Sequence, residues 1–76
     1  MAGHKVYFSI LKAIKEGRLK EPFGNEDFKR TCPGFAVGTY QAFLHKHRQG
    51  NPGSYSELFK LVDKGKFKVI RPFKYQ

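Results

Sequence analysis

The chain has no tryptophan, one methionine, one cysteine and only six acidic residues. A lone Cys32 cannot close an internal disulfide, so a stapled scaffold is excluded and a reducing compartment is expected. No apolar run approaches the roughly 18 residues that cross a bilayer. Met1 to Lys5 lacks the apolar stretch of a secretory signal. Together these absences lead us to expect a cytoplasmic, nucleoid or nuclear location and no membrane partner. No glycine-rich phosphate loop follows a strand, and no nucleophile stands with a base and an orienting acid, so an enzyme is not expected. His45 and His47 lie two apart on an expected helix and diverge, and Cys32 with His4 does not complete a zinc site. Neither metal nor cofactor is expected.

What is abundant is positive charge and aromatic surface. The 76 residues hold 15 Lys and Arg, for a formal net charge of +9, and 16% are Phe or Tyr. With 39% hydrophobic residues the chain is too apolar for a disordered basic tail, and its length allows one domain, residues 1–76. Like charges on a small body repel unless a polyanion or salt screens them, which points to an anionic partner. Residues 1–38 carry 7 basic and 4 acidic side chains, and residues 39–76 carry 8 and 2, so net charges of +3 and +6 weight the second half.

Breakers divide the chain into four pieces. Over Lys5 to Glu16, Val6, Ile10, Ala13 and Ile14 fall on one helical stripe widened by Tyr7 and Leu11. Gly17 suits a left-handed C-terminal cap. Leu19 to Gly24 reads as a connector with room for a short extended pairing. Asn25 has the character of an N-cap, with Glu26 and Asp27 in the first turn of a short helix, Asn25 to Thr31, that Phe28 anchors inward. Cys32-Pro33-Gly34 stops it, with Cys32 expected as a buried, inert thiol. A third helix, Val37 to Gln49, turns Tyr40, Phe43, Leu44 and His47 inward. It turns Gly38, Gln41, His45 and Arg48 outward, flanked by Thr39, Ala42, Lys46 and Gln49. Gly50-Asn51-Pro52-Gly53 ends it with a turn.

The last piece allows two readings. Ser54-Tyr55-Ser56-Glu57 has the form of a capping box that would open a helix through Val62. Alternatively, Asp63 and Lys64 form a turn with Gly65 left-handed, pairing Val62 with Lys66, Leu61 with Phe67, Lys60 with Lys68 and Phe59 with Val69. Two large apolar pairs then share one face. The second reading is favoured: a helical turn near Ser54 to Leu58, then a hairpin of about Phe59–Val62 and Lys66–Arg71. Phe8, Phe23, Phe28, Phe35, Phe43, Phe59 and Phe67 are expected mostly in the core, as a domain this small needs large buried side chains. Tyr55, Phe73 and Tyr75 have no clear place; a tail packed on the first helix is the simplest one for them.

In this order — helix, connector, short helix, tight junction, longer helix, basic hairpin — the chain resembles a winged helix-turn-helix domain. The resemblance covers nearly all of it, with Asn25–Thr31 as second helix, Val37–Gln49 as third and Phe59–Arg71 as wing. The runs Cys32-Pro33-Gly34-Phe35, Thr39-Tyr40-Gln41-Ala42-Phe43-Leu44 and Gly50-Asn51-Pro52-Gly53 are similar to small winged-helix domains that accompany DNA-processing proteins. The resemblance implies an α+β fold of three helices with a C-terminal hairpin wing, and a third helix that enters the major groove of double-stranded DNA. Thr39, Gln41, His45 and Arg48 would face bases or near phosphates, with Lys46 beside them. Lys64 and Lys66 at the wing tip and Lys60 and Lys68 along one strand face would meet the backbone. Gln41 and Arg48 are types that read base edges, and the lysines and Thr39 are types that hold phosphates. The competing reading of such a face is plain solvation, and lysines on a hairpin often serve only to blunt its edge. Winged helices also recruit proteins, so an acidic protein partner is the alternative. No coiled-coil segment enforces a dimer, and a monomer is expected.

Overall fold

The computed structural model describes residues 2–50, 53 and 56–73, with side chains from residue 5 onward. It is an α+β arrangement: three helices, α1 (Ala2–Lys15), α2 (Asn25–Thr31) and α3 (Val37–Lys46), followed by an antiparallel hairpin of β1 (Phe59–Asp63) and β2 (Lys66–Val69). The helical stripe of α1 is the one the spacing requires: Val6, Tyr7, Ile10, Leu11 and Ala13 are buried, with Ile14 packed at their edge. The helix closes on Gly17, whose N–H donates to Ile14 O (3.1 Å) while Arg18 N–H reaches back to Ala13 O (2.9 Å). This pair of bonds satisfies carbonyls that the helix end leaves open.

The connector supplies a third extended segment. Phe23 exchanges both backbone hydrogen bonds with Phe67 of β2 (3.0 and 2.8 Å), so the hairpin is flanked by a single residue of antiparallel pairing. α2 spans the expected residues, but Gly24, not Asn25, is its N-cap. The Asp27 carboxylate, three residues into the helix, turns back to accept the N–H of the capping residue Gly24 (3.0 Å), the reciprocal half of a capping box. Gly24 is needed for another reason. A Cβ there would stand 2.9 Å from Gly65 O, so the tip of the hairpin lies directly on the start of α2. Between α2 and α3, the Tyr40 hydroxyl donates to Cys32 O and accepts the Phe35 N–H (3.1 Å), clamping the Cys-Pro-Gly-Phe junction onto the helix it precedes.

The hairpin register places Phe59 opposite Val69, Lys60 opposite Lys68 and Leu61 opposite Phe67. The last expected pair differs. Asp63, not Val62, meets Lys66, because Val62 sits in a bulge; such an insertion lets a tight turn close, with Gly65 at φ +67. β2 ends at Val69, short of Arg71.

Three expectations fail for one shared reason. α3 stops at Lys46, three residues early, because His47 and Gln49 bond to the hairpin instead: His47 O accepts the N–H groups of Leu58 (2.8 Å) and Phe59 (3.1 Å), and Gln49 N–H donates to Phe59 O (2.7 Å). Residues 56–58 are not helical and have no regular secondary structure. Glu57 does not cap a helix but accepts the Gly50 N–H (2.8 Å) across the loop. Tertiary pairing has overridden local propensity in each case. Asn51, Pro52, Ser54, Tyr55 and Tyr75 lie outside the described residues. Phe8 is 45% exposed rather than in the core. Phe73 does pack on the core, with Lys15 of α1 over its ring. Phe59 sits centrally, within 6.3 Å of the rings of Tyr7, Phe23 and Phe43.

Candidate functional site

Burial of Tyr40, Phe43 and Leu44 against the other helices and the hairpin fixes the roll of α3. A helix rolled this way must turn its other residues out, and Gly38, Gln41, Ala42, His45 and Lys46 are exposed. The ridge is low at Gly38 and Ala42 and carries longer polar side chains at Gln41, His45 and Lys46. Thr39 is half-buried. With Lys46 it lines a cleft between α3 and Val6 of α1. His45 leans over the hairpin, its ring edge-on to Phe67 at 5.1 Å. His47 is half-buried, its Nδ1 2.9 Å from Ser56 O and its ring 4.6 Å from that of Phe43. It holds the loop to the helix, as its place on the inward face suggested.

Arg48 leaves the helical face altogether. It lies beyond the end of α3, where its backbone forms a parallel bridge with Phe59, so it does not share the outward ridge with Gln41. The hairpin lysines divide into separate groups. Lys60 and Lys68 stand opposite each other on the outer sheet face, lining a depression with Gln49, Val62 and Arg71. Lys64 is exposed in the turn. Lys66 is not a free tip cation: its Nζ lies 3.6 Å from Asp27 Oδ2, tying the hairpin to α2. The hairpin therefore brings Lys66 beside the start of α2. Among the described residues no group of His, Cys, Asp and Glu could hold a metal ion. Cys32 is buried, with its Sγ 3.6 Å from Ser9 O. No described helix is long and apolar enough to cross a membrane.

Two carboxylates set the electrostatics: Asp27, read from the sequence only as a first-turn acid, and Glu21, which the sequence did not single out. Glu21 accepts the Val69 N–H (2.7 Å) and pairs with Arg71, whose Nη1 is 2.9 Å away. Burial pushes this carboxyl up, but the bonds from Arg71 and Val69, with the charges of Arg71 and Lys68, outweigh it and hold Glu21 below its ordinary value of 4.5. Asp27 is likewise held low, first by the Gly24 N–H, against some burial, and then by Arg30 and Lys66. A folded-state carboxyl that binds protons less readily than the unfolded one stabilises the fold above the unfolded value and loses that contribution as pH falls through the folded one. Unfolding free energy is therefore expected to decline as pH is lowered from 4.5. Glu21→Gln is expected to weaken the fold at neutral pH and to flatten this acid limb. Urea titrations at a series of pH values check both, and an acid limb unchanged by the substitution would show that Glu21 is not responsible.

Sequence reasoning missed these contacts because the partners are far apart in the chain, Glu21 from Arg71 and Asp27 from Lys66. The signal available was only the scarcity of acids, which makes each partly buried carboxylate count. Compared with known proteins, the chain matches no family model, and no curated protein or solved structure is significantly similar to it.

Proposed function

We propose that the chain is a winged-helix module that binds double-stranded DNA, as a regulator or as an accessory to DNA processing, with α3 as the helix that enters the major groove. The observation that carries this reading is the outward ridge of α3. Gly38 and Ala42 keep it low enough for close approach, and Gln41 and Lys46 extend from it with donors suited to base edges and phosphates. The layout supports it as well: one helix, an extended segment at Phe23, two helices joined by a tight junction, and a hairpin that pairs with Phe23. So does the net charge of +9, since phosphate contacts supply much of the affinity of any duplex binder.

Lys60 and Lys68 fit a backbone-contacting role. Directly opposed like charges destabilise a hairpin, and a phosphate between them would relieve the repulsion. Lys64 fits the same role at the turn. The role of Lys66 is divided, because its ammonium also serves Asp27.

Lys46→Ala tests the α3 assignment. Binding to a duplex, followed by anisotropy, is expected to weaken, and the slope of log affinity against log salt is expected to become shallower by about one. A thermal melt of the variant checks that it is folded when its binding is measured. An unchanged slope would remove Lys46 from the contact set.

A further inference from the structure

Away from α3, four cations from three separate segments converge. Arg18 and Lys20 of the connector, Arg30 of α2 and Lys66 of β2 line one polar cleft of about 340 Å³, in which Asp27 is the only carboxylate among the described residues. We infer that this cleft is a binding site for a phosphate group, distinct from the α3 ridge. The inference does not rest on the duplex reading.

Most of the site is already held in place. The Arg18 guanidinium donates through Nη1 to Thr31 O (2.6 Å) and through Nε to Glu16 (2.8 Å). Arg30 Nη2 lies 2.9 Å from Asp27 Oδ1, and Lys66 Nζ lies 3.6 Å from Asp27 Oδ2. Asp27 is itself anchored by the Gly24 N–H. Its carboxylate thus serves two cations and an amide at once. Four positive charges face one negative charge in the cleft, and even with Glu16 beside Arg18 the balance stays positive. Lys20 has no ion pair among the described residues and is exposed. Arginine forks match the tetrahedral edges of a phosphate, and an ammonium adds a point charge. Fixed cations with unspent donors and a surplus of charge favour such an anion over a carboxylate, which offers fewer acceptor oxygens.

The phosphate could belong to a nucleic-acid backbone or to a free phosphorylated compound. Amide shifts of the full chain, titrated with inorganic phosphate against sodium chloride of equal ionic strength, test the site. Saturating shifts at Arg18, Lys20, Asp27 and Lys66 are expected with phosphate and not with chloride. Lys20→Gln, which removes no structural contact, is expected to weaken binding about fivefold, the worth of one charge contact at the surface. Lys12→Gln, on the exposed side of α1, is expected to leave it unchanged. Shifts that do not saturate, that chloride reproduces, or that survive Lys20→Gln undiminished would overturn the site. A duplex titration then separates the sources. Shifts in the cleft together with α3 identify a backbone phosphate. Shifts on α3 alone, beside a cleft that saturates with phosphate, identify a free phosphate compound. If phosphate saturates the cleft and no duplex binds, the site stands and the duplex reading fails.

Discussion

The Phe59→Ala protein is expected to melt at least about 12 °C below the parent chain. Phe59 is fully buried, and its ring meets those of Tyr7, Phe23 and Phe43. From the hairpin it thus touches α1, the connector and α3. Truncating a buried phenylalanine costs about 3–5 kcal/mol, through lost burial and the cavity left behind. A domain of this size has a total stability of about 4–11 kcal/mol, and each kcal/mol is worth about 4–8 °C in the midpoint. The backbone of the same residue bonds to both His47 and Gln49, so loosening it also frees the end of α3. Phe59→Leu keeps most of the volume and is expected to cost well under half as much. Circular dichroism melts of the two variants check this. A midpoint that moves by less than about 5 °C on alanine substitution would show that the core does not converge on Phe59.

Raising salt from about 50 mM to 200 mM is expected to weaken duplex binding about 10²- to 10³-fold. The cations proposed to face DNA are Lys46 on α3 and Lys60, Lys64 and Lys68 on the hairpin, with Arg48 and Lys66 nearby. If about four to six of them each neutralise a phosphate, log affinity falls with log salt at a slope near −4 to −5. Anisotropy titrations at four or five salt concentrations measure it. A slope near zero would mean that positive charge does not drive association, and duplex binding no tighter than millimolar at low salt would remove DNA as the partner. The alternative, an acidic protein partner, would then become the better reading.

Much of the scaffold was legible because it depends on short-range rules. The stripe Val6, Ile10, Ala13 fixed the buried face of α1, Gly17 its end, and the breakers around Asn25–Thr31 both ends of α2. The apolar pairs Phe59–Val69 and Leu61–Phe67 fixed the register of the hairpin, since a slip of one residue would have turned Phe59 and Phe67 to solvent. What was not legible depends on partners distant in the chain. Nothing near Gln49 says that its N–H will be claimed by Phe59, so the helix could not be ended at Lys46, and Arg48 was carried onto a face it does not share. Nothing near Lys66 says that Asp27 lies beside it. The charge count suffered in the same way. It put most of the surplus in the second half, whereas folding brings Arg18, Lys20 and Arg30 from the first half together with Lys66. The inward face of α3 could be read from its spacing, and the outward face followed as its complement, except that Thr39 is half-buried and the residues beyond the helix end were misplaced.

The central claim is that the ridge of α3 meets DNA. A heteronuclear NMR titration of the full chain with a short duplex tests it most directly. The predicted result is that the largest amide shifts fall on Gly38, Gln41, Ala42, His45 and Lys46, with smaller ones at Lys60 and Lys68, while buried positions such as Ile10 and Leu11 of α1 stay in place. Shifts that leave α3 untouched and gather elsewhere, for instance around Phe8 or Phe73, would contradict it.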